Sequence, residues 1–213
     1  MRPKEFDFDP VDEDADGIAE SQTTAGADDL TLDGVLVSGG IATLDHARRL
    51  AIASGGDDSP NDFTVTGTDA DGRALVEVVT GPNATTVETV GYFKTVTSVA
   101  IDGATVGSVT VGTTDELASQ TIPIDRIATT ACAIAVDVTD TIDYTVQQTL
   151  EDVQQAGFKP QQDAAWHDIS ALADKTADLV GAAAVHATAI RLVTNSFSSG
   201  AELQMHVSQQ SGH

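Results

Sequence analysis

Phe63-Thr64-Val65-Thr66-Gly67-Thr68-Asp69-Ala70-Asp71-Gly72-Arg73-Ala74-Leu75-Val76-Glu77-Val78-Val79-Thr80 is the stretch that decides the fold class. Two runs rich in Thr and Val flank the polar segment Asp69-Ala70-Asp71-Gly72. β-branched side chains suit a pleated, half-buried surface, and Asp-Gly supplies the positive φ of a tight reversal. The stretch predicts two strands and a turn.

The same grammar extends in both directions. Leu30-Thr31-Leu32-Asp33-Gly34-Val35-Leu36-Val37, Arg49-Leu50-Ala51-Ile52-Ala53 and Phe93-Lys94-Thr95-Val96-Thr97-Ser98-Val99-Ala100-Ile101 are further strand candidates. Between them lie turn-forming segments such as Ser38-Gly39-Gly40, Gly55-Gly56-Asp57-Asp58-Ser59-Pro60 and Gly81-Pro82-Asn83. Short strands at this spacing predict an antiparallel sandwich or barrel. A faint repeat at an offset of roughly 80 residues sets Ala51-Ile52-Ala53 and Phe63 against Ala133-Ile134-Ala135 and Tyr144. Each half is expected to close on a hairpin, residues 98–101 with 108–111 and residues 189–193 with 203–207. The expected fold is therefore all-β. Two antiparallel β-sandwich domains, jelly-roll or immunoglobulin-like, span 30–118 and 119–213. One segment departs from strand spacing: apolar residues at Trp166, Ile169, Leu172 and Leu179 predict a short helix or an irregular crossover.

Residues 1–29 form a separate compositional zone, crowded with carboxylates and poor in apolar periodicity, which predicts an extended acidic N-terminal arm. Phe6 and Phe8 stand two apart, so an extended backbone points both to one side. They are the candidate partner-binding anchors.

Charge sets the classes of partner. Lys+Arg 10 against Asp+Glu 33 leaves a net charge of −23, a surface that repels phosphate backbones and anionic membranes. Neither nucleic acid nor membrane is expected as a partner. The chain shows no apolar run near 18 residues and no basic start followed by an apolar segment, so neither a membrane span nor a secretion signal is expected. The single cysteine, Cys132, excludes an internal disulfide.

Candidate chemistry is sparse. Asp12-Glu13-Asp14-Ala15-Asp16-Gly17 matches the opening of a calcium loop, with Asp12, Asp14, Asp16 and Glu20 as the candidate metal ligands. The twelfth position is Thr23 where a bidentate Glu is needed, so an acidic arm with no fixed ion is the preferred reading. There is no G-x-S-x-G elbow, and Cys132 lies in the alternating run Ala131-Cys132-Ala133-Ile134-Ala135-Val136, as a core thiol would. His46, His167, His186, His206 and His213 show no zinc-binding spacing. No catalytic residue is expected, nor any cofactor beyond the calcium candidate. Aromatics are 4% of the chain, and Trp166 is the one credible platform for stacking a sugar, with packing the commoner role.

Certain segments carry a family likeness. They run Asp14-Ala15-Asp16-Gly17-Ile18-Ala19-Glu20-Ser21-Gln22-Thr23, Leu30-Thr31-Leu32-Asp33-Gly34, Gly39-Gly40-Ile41-Ala42 and Arg48-Arg49-Leu50-Ala51-Ile52. They continue through Phe63-Thr64-Val65-Thr66-Gly67-Thr68-Asp69, Val79-Thr80-Gly81-Pro82-Asn83, Tyr92-Phe93-Lys94-Thr95-Val96-Thr97, Asp143-Tyr144-Thr145-Val146-Gln147-Gln148-Thr149 and Ala189-Ile190-Arg191-Leu192. Together they resemble virion structural proteins of tailed bacteriophages. The resemblance implies a role in particle architecture and no active site. The expectation is a non-enzymatic capsid decoration (cement) protein located in the virion and made in the host cytoplasm. Its partners would be the major capsid protein or other virion proteins, and further copies of itself in a homo-oligomer. A tail or neck adaptor, a fibre-base component, and a carbohydrate-binding module for host attachment are the alternatives.

Overall fold

Seventeen strands and two short 3-10 turns make up the computed structural model, which describes residues 4–125, 131–153, 161–184 and 186–209. In chain order the strands are β1 (Lys4–Phe8), β2 (Ala19–Gln22), β3 (Asp28–Asp29), β4 (Val37–Ser38), β5 (Ile41–Ser54), β6 (Asp62–Thr68), β7 (Ala74–Thr80), β8 (Thr86–Glu88) and β9 (Phe93–Ile101). They continue with β10 (Val109–Ala118), β11 (Ile122–Pro123), β12 (Ala133–Thr139), β13 (Ile142–Thr149), β14 (His167–Asp168), β15 (Leu179–Ala182), β16 (Ala189–Phe197) and β17 (Glu202–Ser208). All the recorded pairings are antiparallel, and the described residues contain no α-helix. Among the described residues no helix is long and apolar enough to cross a membrane. The all-β, antiparallel expectation holds.

The chain divides into two compact units, residues 13–115 and residues 1–12 with 116–213. This corrects the expected division. Residues 1–29 are not a separate arm: β1 is a strand of the second unit, while β2 and β3 belong to the first. Composition alone suggested an arm because carboxylates fill every other position. The intervening Phe6 and Phe8 are enough to hold one face of a strand.

In residues 13–115 the sheet runs β10-β5-β9-β6-β7. The β6–β7 hairpin is the one read from the sequence, with Phe63 opposite Val79 and Thr68 opposite Ala74, and Gly72 at φ 76 closing the turn. Alternation sends Phe63, Val65, Leu75, Phe93, Val99 and Ile101 into one core. β5 is long enough to serve two neighbours: Ala42 and Thr43 pair with β9, while residues 51–53 pair with β8. Between those halves its register shifts, and the carbonyls of Leu44 and Asp45 leave the ladder to accept from Lys94 Nζ at 2.7 and 2.8 Å. Arg48, 1% exposed, holds the same bend. Its guanidinium donates to both Asp45 oxygens at 2.7 and 2.6 Å and to the Thr114 carbonyl at 2.9 Å. Buried guanidinium requires such saturation, because an unpaired charge in the interior costs several kcal/mol.

The second unit has two sheets facing one core. One runs β1-β17-β12-β15; the other contains β14-β13-β16, with β11 and the end of β10 paired to β16. Ile134, Val136, Leu203, Met205 and Val207 come from the first sheet, and Ile142, Tyr144, Val146, Ile190 and Leu192 from the second. That is a sandwich core.

Neither closing hairpin forms. β5 lies between β9 and β10, and β16 and β17 belong to different sheets, joined through Gly200 at φ 77. Alternation specifies which residues face inward, not which strand lies alongside, and a turn can carry the chain from sheet to sheet as readily as back along one. Residues 166–179 form the irregular crossover, with Leu172 fully buried at the end of a 3-10 turn (Ser170–Leu172).

Candidate functional site

The residues singled out as partner anchors lie on β1. Five residues of β1 pair in continuous register with β17, from Lys4 opposite Val207 to Phe8 opposite Leu203. Phe8 is 3% exposed and lies in the core of the second unit; Phe6 is partly buried and packs against the same core. The two aromatics do share a face, but the groove they fill belongs to their own chain. β1 is an edge strand, so among the described residues its far side carries no neighbouring strand in the sheet.

Its other face completes a polar surface. Glu5 stands opposite His206 and Asp7 opposite Gln204, while β12 contributes Ala135 and Asp137 on the far side of β17. His206 Nε2 lies 3.3 Å from Asp137 Oδ2, both substantially exposed. A pair so open to water contributes little to stability. Beside it is a small depression of about 210 Å³ lined by Asp137, Val138, Thr139, Asp178, Glu202, Leu203 and Gln204. Asp178 is already engaged, accepting from the Val138 N–H at 2.8 Å. Beneath it Tyr144, fully buried, donates its hydroxyl to the Ala177 carbonyl at 2.9 Å. Burial, reinforced by the charges of Asp178 and Asp137, pushes that phenol up to about 12.

Asp12, Asp14, Asp16 and Glu20 are not gathered into a cage. The Asp14 carboxylate turns back to accept from the Asp16 N–H at 3.3 Å, and a side chain at Gly17 would meet Asp14 Cγ at 2.9 Å. Glu20 is held in β2, its N–H donating to Asp33 Oδ1 at 2.9 Å. Among the described residues no group of three His, Cys, Asp or Glu side chains is placed to hold a metal. The loop's geometry answers instead to its backbone, where Asp14 exchanges hydrogen bonds with Thr113.

Trp166 is half-buried, its indole N–H donated to the Gln161 carbonyl at 2.8 Å. The Arg191 guanidinium lies 4.4 Å from the ring centroid, covering one face. Arg191 also donates to Gln147 Oε1 at 2.8 Å and Gln161 Oε1 at 3.2 Å. The platform proposed for a sugar thus has one face occupied by its own chain. Cys132 is fully buried, and burial pushes its thiol up, away from the nucleophilic thiolate.

Three side chains that sequence reasoning passed over organise the first unit. Arg48 is one. Asp58, fully buried, accepts from the Val106 N–H at 2.6 Å and the Gly107 N–H at 3.4 Å, with the Ser54 hydroxyl at 2.5 Å. Glu77 accepts from the Val90 and Gly91 N–H groups at 2.6 and 2.8 Å. β7 ends the sheet order, so this carboxylate supplies acceptors where no strand ladder continues. Only one signal was available: Glu77 sits in register with Leu75 and Val79, an acidic residue on an apolar face.

No protein-family model matches the chain, and no curated protein sequence matches it.

Proposed function

We propose that this protein is a non-enzymatic structural component of a tailed-phage virion, serving as a decoration protein on the capsid. Its partners in this reading are the major capsid protein and further copies of itself. The supporting observation is the use to which the interior charges are put. Arg48, Asp58 and Arg191 each hold a bend, a loop or a ring in place. This is scaffold chemistry: charged groups immobilise the irregular parts of β-units whose regular parts are held by strand pairing. A strongly acidic surface adds colloidal stability before assembly.

Quantitative mass spectrometry of purified particles tests the assignment. Copies in the hundreds per particle support a decoration role, whereas about a dozen or fewer would move the protein to the tail or neck. Particles lacking the polypeptide would remove the virion reading altogether.

A further inference from the structure

We infer that β1 is an exchangeable strand: the edge of β17 in one copy accepts residues 4–8 of a second copy of this chain. Three features carry the inference. First, among the described residues β1 is the only element of its unit that precedes residues 13–115 in the chain, and its partner β17 is the last strand. Lys4 pairs with Val207, so the contact joins segments separated by the whole of residues 13–115 and most of the second unit. Such long-range pairings form late, and an edge waiting for its strand is open to the same strand from a neighbour.

Second, β1 is attached as a detachable element would be. It is a terminal edge strand bonded on one side, anchored by Phe8 with Phe6 beside it. Every cis contact of β1 with β17 can be reproduced in trans, so exchange exposes no extra apolar surface and sacrifices no ladder. Third, the connection is built to extend. Asp9-Pro10-Val11-Asp12-Glu13 has no regular structure; Pro10 is buried, while Asp9, Val11, Asp12 and Glu13 are exposed. Proline restricts the linker's conformations, and the carboxylates at Asp9, Asp12 and Glu13 repel one another, favouring an extended path over a folded one.

The occupant follows from fit. A foreign strand would need Phe at alternate positions and the same register, whereas a second copy supplies both by construction. The inference rests on the assembly reading above and names the device by which copies join. Its test uses the purified chain alone, so a failure here leaves the particle census unaffected, and absence from particles leaves the exchange intact.

Two single-cysteine chains provide the experiment, both carrying Cys132→Ser: one with Glu5→Cys, the other with His206→Cys. The two replaced positions face each other across the β1–β17 pair. The chains are refolded together at high concentration and treated with a short bis-maleimide. Within one chain no link can form. Exchange predicts covalent heterodimers bridged between positions 5 and 206, rising with concentration and lost when the Glu5→Cys chain also carries Phe8→Asp. Monomer alone at every concentration overturns the inference, and so does a heterodimer yield that Phe8→Asp leaves unchanged.

Discussion

Replacing Phe8 by Ala removes the anchor that joins β1 to the rest of its unit. Phe8 is 3% exposed among Leu203, Met205 and other core residues, so the substitution deletes a buried ring and leaves a cavity at a sheet edge. Phe→Ala in a core costs about 3–5 kcal/mol, and an edge strand that can partly detach belongs at the lower limit, about 3 kcal/mol. Phe6, only partly buried, should cost about 1 kcal/mol when truncated in the same way. With a urea dependence of about 2 kcal/mol per M, the Phe8 variant loses about 1.5 M in midpoint. Trp166 is the only tryptophan and lies within residues 116–213, so its fluorescence follows the unit that contains Phe8. Fluorescence-detected urea unfolding should therefore show the full shift. A fluorescence midpoint displaced by less than about 0.3 M would refute the anchoring role. Equal costs for Phe6 and Phe8 would refute the packing that separates them. The same reasoning makes deletion through Asp16 a destabilising change, since it removes β1 and the Asp14–Thr113 hydrogen bonds together.

Glu77→Ala strips the acceptor from two backbone N–H groups and should lower stability by about 2 kcal/mol. Amide exchange should quicken at Val90 and Gly91 while Trp166 fluorescence unfolding stays in place. Arg48→Met removes the guanidinium donors to the Asp45 carboxylate and the Thr114 carbonyl and should cost about 3 kcal/mol by thermal or urea unfolding; adding Asp45→Leu should recover part of it. Asp69 is 2% exposed with Oδ2 unpartnered, and burial, the largest cause, raises its carboxyl above the ordinary aspartate value. The folded state thus holds this proton more tightly than the unfolded chain. Its stabilising contribution is complete below the unfolded value and is lost as pH rises through the folded one. Asp69→Asn keeps Oδ1 to accept from Asp71 and Arg73, so melting curves across pH 3 to 7 should show a flatter profile and a higher midpoint at neutral pH. An unchanged pH profile would refute the assignment of that slope to Asp69.

The strands themselves were legible because alternation survives in any chain whose sheets bury one face. The turn at Asp69–Gly72 was legible because Gly72 is where a positive φ is required. Partnering was not. Residues 98–101 and 108–111 have the pattern of a hairpin, yet β5 lies between them, and nothing local to either run encodes a strand fifty residues earlier. Facing was ambiguous in Leu75-Val76-Glu77-Val78-Val79, where either alternate set could be buried. Val76 and Val78 are 60% and 59% exposed because the N–H groups of Val90 and Gly91 make the inward side habitable for Glu77. Phe6 and Phe8 were legible as anchors, but their destination lay about two hundred residues away at β17. The acidic loop illustrates the reverse error. Asp12-Glu13-Asp14-Ala15-Asp16-Gly17 has the letters of a cation loop, while its conformation is dictated by Thr113 and by the space that Gly17 leaves open.

The pairing of Lys4 with Val207 brings two positions far apart in the chain to the same rim of one sheet. A circular permutant would exploit this: linking the chain beyond β17 to the start of β1 and opening the backbone between Asp12 and Glu13 leaves residues 13–115 as they are and turns the one discontinuous unit into an uninterrupted segment, 116–213 followed by 1–12. In the native chain, by the same geometry, labels attached at Lys4 and at Val207 would sit side by side.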